Sequence, residues 1–328
     1  MSVRDVLIVG AGPSGLATAI AAKQQGLDYV IVEKGVLVDA IFHFPAHMVF
    51  FTTPELLEIG GLPLTSPNDK PTRLEALRYY RRAVDAYELQ ISFHETVTAI
   101  EREGGIFAVT TRDRRGVTRE RQARAVVLAI GYYDHPNYLG VPGEDLPHVS
   151  HYYDDAHPYY RQRVVIVGGK NSAAEAALGL FRGGAHVTLV HRRAALGESI
   201  KYWVKPDIEN RIKEGSIAAR FDTRVTEITP AHVVVEHAGQ ADRIPADAVF
   251  LLTGYHVDTG LLQGAGVRVD PETLKPDYHP DTFETNVPNL FVAGGAIAGK
   301  QTGTIFIENG RFHGQKIVAV LAARLRAD

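Results

Sequence analysis

Residues 5–15 read Asp5-Val6-Leu7-Ile8-Val9-Gly10-Ala11-Gly12-Pro13-Ser14-Gly15. An apolar, β-branched run enters G-x-G-x-x-G, a helical stretch follows to Gln25, Gly26 stops it, and a second strand, Tyr29-Val30-Ile31-Val32, ends at Glu33. A lone G-x-G-x-x-G carries little weight. Set between a strand and a helix, with an acid 18 residues beyond the last glycine, it reads as a βαβ dinucleotide-binding unit. Each position then has a physical task. Gly10 permits the tight turn, Gly12 lets backbone amides approach a pyrophosphate, and Gly15 packs helix against strand. Pro13 and Ser14 open the helix, whose N-terminus supplies positive potential. Glu33, followed by Lys34, accepts hydrogen bonds from ribose hydroxyls.

The unit recurs. Val164-Val165-Ile166-Val167-Gly168-Gly169-Lys170-Asn171-Ser172-Ala173 leads into a helix to about Arg182, then Gly183-Gly184 and a strand from His186 to Val190. Gly10, Gly12, Gly15 and Glu33 map onto Gly168, Lys170, Ala173 and His191 at one constant offset. The second copy replaces the acid by His191-Arg192-Arg193, a basic strand end that favours a 2′-phosphate and therefore NADPH over NADH. Lys170 puts a side chain where the first copy has its middle glycine, so its ammonium either contacts phosphate or shifts the dinucleotide.

The tails of the copies match as well. Alternating segments at 97–102 and 106–111 lead to the apolar run 125–131, and segments at 225–229 and 233–237 lead to 247–254. Each reads as a short antiparallel meander feeding one more buried strand that ends in glycine, placing Val97, Ala129, Gly131 and Gly254 near a cofactor. The run Val287-Pro288-Asn289-Leu290-Phe291-Val292-Ala293-Gly294-Gly295 is a further strand, followed by a long helix to roughly Arg324, and it returns to complete the first domain. The expected class is α/β with two Rossmann-like, three-layer ββα domains: 1–135 with 257–328, and 136–256, hinge segments joining them.

Composition removes the competing chemistries. The 328 residues contain no cysteine, which excludes disulfide scaffolds, thiolate metal sites, cysteine nucleophiles and C-x-x-C redox pairs. Redox chemistry must come from a bound cofactor. Thirty-five basic against 38 acidic residues give a charge of −3, which does not favour nucleic acid. No apolar run is long enough for a membrane span, and the start Met1-Ser2-Val3-Arg4-Asp5 lacks a secretory pattern, so the cytoplasm is expected. The 14 histidines show no helical H-E-x-x-H pattern, and no metal site is expected.

The split first domain, the inserted second one with His-Arg-Arg and the returning alanine-glycine strand resemble the low-molecular-weight thioredoxin reductase superfamily. That resemblance implies FAD in the first domain and NADPH in the second. Five blocks, 44–52, 71–77, 131–137, 168–173 and 305–314, are similar in order and content to the YpdA-type bacillithiol-disulfide reductases. What this implies is hydride transfer from NADPH to FAD and reduction of a small disulfide, in a homo-oligomer. The resemblance also places His47, Phe51 and Thr52 beside the isoalloxazine, although a buried aromatic cluster explains Phe44, Phe50 and Phe51 equally well.

This chain departs from the family pattern at Ser14, where Cys usually stands. A serine hydroxyl cannot replace a thiolate in disulfide exchange, so no catalytic side chain is assigned and Ser14 is read as a helix N-terminal hydroxyl near the FAD pyrophosphate. Gly295 occupies a position where related flavoproteins carry an Asp on the FAD ribityl chain. A helix beginning near Thr304 and Ile305 is expected to aim its N-terminus at the flavin. Lys201, in a block after the basic turn, either reaches the NADPH phosphate or is solvated. The missing thiol favours rival acceptors: a ferredoxin, a flavodoxin or another acidic carrier protein docking on the basic helix 75–84, or a diaphorase acceptor such as a quinone. A non-catalytic NADPH-binding regulator is the remaining alternative.

Overall fold

The computed structural model describes residues 3–326; Met1 and Ser2, part of the start read above, lie outside the described residues. β1 (Arg4–Val9), α1 (Pro13–Gln24) and β2 (Tyr29–Val32) form the first βαβ unit, with β1 and β2 parallel from Val6↔Tyr29 to Val9↔Val32. Every residue of β2 is buried, as expected of a strand covered on both faces. α2 (Asp39–Phe42) follows, then α3 (Arg73–Ala86), which opens with a capping box: Thr72 Oγ1 accepts from the Glu75 amide, while the Glu75 carboxylate accepts from the Thr72 amide. β3 (Ile91–Ser92), β4 (Glu95–Glu103), β5 (Ile106–Asp113) and β6 (Thr118–Leu128) complete this half.

β6 serves two purposes. Its first half pairs antiparallel with β5 from Phe107↔Ala123 to Arg112↔Thr118, and its second half lies parallel to β1 up to Val9↔Leu128. One continuous strand therefore carries the meander into the parallel sheet.

The second half contains β7 (Val149–Ser150), β8 (Arg163–Val167), α4 (Asn171–Arg182), β9 (His186–Val190), α5 (Lys205–Lys213), β10 (Ala218–Arg220), β11 (Thr223–Ile228), β12 (His232–His237), β13 (Gln240–Pro245) and β14 (Ala248–Leu251). Its parallel sheet runs β10-β9-β8-β14-β7. Here the meander is a separate sheet, β11-β12-β13, and its third strand, β13, falls in a stretch that the sequence reading left unassigned. Val165, Val167, Val190 and Val249 face Val233, Val235 and Ile244 of the meander, while Ile166, Leu189 and Phe250 face the α4 side.

The chain then passes through α6 (Thr259–Gly264) and β15 (Leu290–Val292), which pairs parallel with β6 at Val126–Leu128. Among the described residues the first sheet has seven strands in the order β3-β2-β1-β6-β5-β4, with β15 on β6. The long C-terminal helix expected from sequence is broken. A 3₁₀ turn at Gly294–Ile297, a four-residue α7 (Ile307–Gly310) and α8 (His313–Leu325) replace it, because glycines and polar residues at 299–304 leave no apolar periodicity to sustain a helix. α7 begins at Ile307, so the helix placed at Thr304–Ile305 starts two residues later and is one turn long.

The chain divides into two units, one of Met1–His43, Met48–His135 and Tyr255–Asp328, the other of Phe44–His47 and Pro136–Gly254. The four-residue piece 44–47 goes with the second unit, a placement absent from the sequence reading. No helix among the described residues is long and apolar enough to cross a membrane.

Candidate functional site

In the first unit the loop after β1 is shaped by its neighbours. Gly10 has φ of +104°, and a Cβ there would stand 2.5 Å from the carbonyl oxygen of Ala129 at the end of β6. A side chain at Gly15 would overlap the Gly10 carbonyl, whereas one at Gly12 would meet no described atom within 4 Å. Turn, close packing and open approach thus fall on the three glycines. α1 has no side-chain N-cap and no acid in its first turn, leaving its amides available to an anion.

Glu33 is buried at the end of β2, accepting hydrogen bonds from the amides of Ala11 (2.6 Å) and Gly35 (2.7 Å). Burial pushes its carboxyl above the usual range, against those amides, which favour the anion. Each oxygen keeps a lone pair for a ribose hydroxyl. Lys34 is engaged with Asp134 at 2.7 Å.

Ser14 Oγ lies in a notch formed by backbone. A side chain at Gly294, which has φ of +60°, would overlap the Ser14 hydroxyl, and a Cβ at Gly310 would stand 3.0 Å from it. The hydroxyl makes no hydrogen bond among the described residues, and Thr18 Oγ1 donates to the Ser14 carbonyl at 2.7 Å. Gly314 lets α8 approach α1 so closely that a Cβ there would stand 2.5 Å from Thr18 Cα. Gly295 is also explained: a Cβ would meet the Tyr132 ring at 2.8 Å, and the Tyr132 hydroxyl donates to the Thr302 carbonyl at 3.3 Å. An Asp at 295 would displace that ring.

Of the remaining first-loop candidates, Val97, Thr52 and Ala129 are buried, Gly131 has φ of +65°, Ile305 is half-buried, and Thr304 is exposed, donating to the Gln301 carbonyl. Phe51 is exposed beneath the Lys70 ammonium, so a buried aromatic cluster accounts for Phe50 alone of that pair. His47 belongs to the second unit and faces Asp155 at 3.5 Å.

The second loop repeats the plan with one change. A Cβ at Gly168 would stand 2.6 Å from the Leu252 carbonyl and 2.8 Å from Ala173 Cβ. Gly169 is glycine because the His191 imidazole lies against it, where any side chain would overlap the ring. Burial, reinforced by Arg193 and Arg192, lowers the His191 pKa. Its ring is therefore a neutral packing group, while Arg192 and Arg193 are exposed. Lys170 is exposed at the N-cap of α4, with extended backbone and no side-chain cap, and Ser172 is exposed beside it. Gly254 has φ of +90°, and its carbonyl accepts from the Asn137 amide.

Lys201 is not solvated. It is buried, its ammonium paired with Glu175 of α4 at 2.5 Å and 5.8 Å from the Trp203 ring. Asn171 ties the same loop down, donating to the Ser199 carbonyl (2.9 Å) and accepting from the Lys201 amide (2.8 Å). Sequence reading also missed His313, which accepts the Gly294 amide through Nδ1. A histidine within the block 305–314 was visible, but its partner lies nineteen residues earlier, and no local pattern reports that.

Two uncapped helix N-termini, each above a parallel sheet, one beside a buried acid and one beside two arginines, define a dinucleotide-dependent oxidoreductase of the two-domain flavoprotein class. The chain belongs to the pyridine nucleotide-disulphide oxidoreductase family, whose model matches residues 7–294. It is an enzyme of that class and uses FAD and NADPH.

Among its relatives is the bacilliredoxin reductase Bdr of Bacillus subtilis (strain 168), 42% identical over 327 residues and 99% of each chain. Among solved structures it is similar to the bacillithiol disulfide reductase Bdr (YpdA) from Bacillus cereus, with a TM-score of 0.97 and 42% identity over 98% of this chain and 100% of that one. The corresponding protein from Staphylococcus aureus gives a TM-score of 0.94 and 39% identity over 99% of each chain.

Proposed function

We propose that this enzyme passes a hydride's two electrons from NADPH through FAD to a low-molecular-weight disulfide of the bacillithiol disulfide type, taking up one proton from solvent and releasing NADP⁺ and two thiols, with FAD in the first unit and NADPH in the second. The observation that carries the substrate is the likeness, near 40% identity over nearly the whole chain, to two proteins named bacillithiol disulfide reductases. When bound, FAD accepts the hydride and returns two electrons to the acceptor.

The residues divide the remaining work. The α1 amides of Ser14 and Gly15, just after Pro13, which has no N–H to give, face the pyrophosphate, Glu33 holds the ribose, and Ala129, Gly131, Gly294 and Gly295 supply backbone. Val97, Thr52, Phe51 and Ile305 add contact surface. In the second unit Gly168, Asn171, Ser172 and Ala173 form the phosphate loop and Lys170 adds charge. Arg192 and Arg193 take the 2′-phosphate. NADPH dependence and a thiol product fit a reducing compartment, the cytoplasm.

With no cysteine in its 328 residues, the chain offers no protein thiol to form a mixed disulfide. Electrons must then pass to the disulfide without a protein sulfur relay. The same fact favours a second reading, a carrier protein or quinone as acceptor. Anaerobic stopped-flow decides between them. Flavin bleaching by NADPH followed by reoxidation on adding bacillithiol disulfide supports the first reading; bleaching that only a ferredoxin, a flavodoxin or a quinone reverses overturns it.

A further inference from the structure

The basic turn after β9 is laced to the strand beside it. β9 and β10 run parallel with Thr188↔Ala218, Leu189↔Ala219 and Val190↔Arg220 in register, so Arg220 ends β10 level with the last residue of β9. The His191 amide donates to the Arg220 carbonyl at 2.8 Å, the Thr223 amide to the His191 carbonyl at 3.1 Å, and the Asp222 amide to the Arg193 carbonyl at 3.1 Å. Three backbone hydrogen bonds thus hold residues 191–193 and 220–223 side by side. Neighbouring strands lie about 4.8 Å apart, well within the length of an arginine side chain.

Arg192, Arg193 and Arg220 are all exposed, and none forms an ion pair or side-chain hydrogen bond among the described residues. The acid nearest in sequence, Asp222, is two residues past Arg220. The His191 ring lies against Gly169. A phosphate monoester carries close to two negative charges and three acceptor oxygens, more than two guanidinium forks saturate, whereas NADH presents only a neutral hydroxyl at that position.

We propose that Arg220, contributed by β10 rather than by the basic turn itself, is a third guanidinium on the 2′-phosphate of NADPH and a determinant of its selection over NADH. This rests on the placement of NADPH in the second unit.

The test uses the purified full chain with its flavin and two probes, adenosine 2′,5′-bisphosphate and ADP, titrated calorimetrically. The quantity read is the ratio of their affinities. Arg220→Ala should lower that ratio about tenfold, with Arg220→Lys, which keeps the charge and loses the fork, falling between. The slope of log affinity against log salt for the bisphosphate should become shallower. An unchanged ratio in Arg220→Ala, while Arg192→Ala lowers it, overturns the inference and leaves the NADPH placement standing. An unchanged ratio in both variants overturns the inference and the placement together. Equal loss for both probes marks Arg220 as merely structural and also overturns the proposal.

Discussion

The backbone amide of Gly294 donates to Nδ1 of His313 at 3.1 Å, and the His313 ring lies stacked on Phe283 with centroids 4.1 Å apart and planes at 19°. An acceptor nitrogen must be unprotonated. Burial, aided by Lys316, lowers the His313 pKa to about 4, so the ring is neutral at neutral pH. It thereby fixes the first glycine after β15 against the start of α8.

A histidine with a depressed folded-state pKa contributes stability that is complete above its unfolded value near 6.5 and is lost as pH falls toward 4. His313→Leu leaves the Gly294 amide unpaired and should cost about 1–3 kcal/mol at pH 7.5. The difference between wild type and variant should shrink between pH 6.5 and 4. Urea unfolding across that range checks it; a constant difference would refute the role of the neutral ring.

Gly294 also bears on Ser14. Gly294→Ala combines a left-handed alanine, costing about 1–2 kcal/mol, with overlap on the Ser14 hydroxyl. In Ser14→Gly the overlap disappears and the backbone cost remains. The double variant Ser14→Gly/Gly294→Ala should therefore be more stable than the sum of the single losses predicts, by about 1 kcal/mol, in a double-mutant cycle.

Glu95 at the start of β4 is 1% exposed and accepts two hydrogen bonds from Arg121, each 2.7 Å, besides those from Ser92 and Thr111, each 2.5 Å. Burial by itself would raise its carboxyl. The bonds from Arg121, Ser92 and Thr111 outweigh it and hold the pKa at about 2. The stabilisation is present above about 4.5 and lost as pH falls toward 2. Arg121→Met strands a buried carboxylate and should cost about 3 kcal/mol at pH 7, less below pH 4 as Glu95 takes up a proton. Thermal melts at the two pH values measure this.

Asn171 and Lys201 together pin the 199–201 segment to the first turns of α4. Asn171→Ala removes both amide contacts and should raise KM for NADPH several-fold with a smaller change in kcat, because the loss falls on ground-state binding. A fall in kcat at unchanged KM would contradict this.

The lesson for sequence reading lies in which interactions are local. The first βαβ unit, the repeat at constant offset and the basic strand end were legible from residues 5–33 and 164–193, because glycine placement, strand runs and strand-end charge are properties of short stretches. The absence of cysteine, and with it of any protein thiol relay, likewise needed no coordinates. Tertiary structure decided what several of those residues do. The His191 ring packs against Gly169, Lys201 is drawn inward by Glu175, Gly295 is explained by Tyr132, and His47 falls in the second unit. In the first three cases the deciding partner lies 22 or more residues away, and for His47 the matter turns on how the chain divides. A desolvated charge or an unpaired amide costs far more than any local propensity supplies. Sequence periodicity reports that a residue is in a strand or helix, and only the folded chain reports which neighbour claims its side chain.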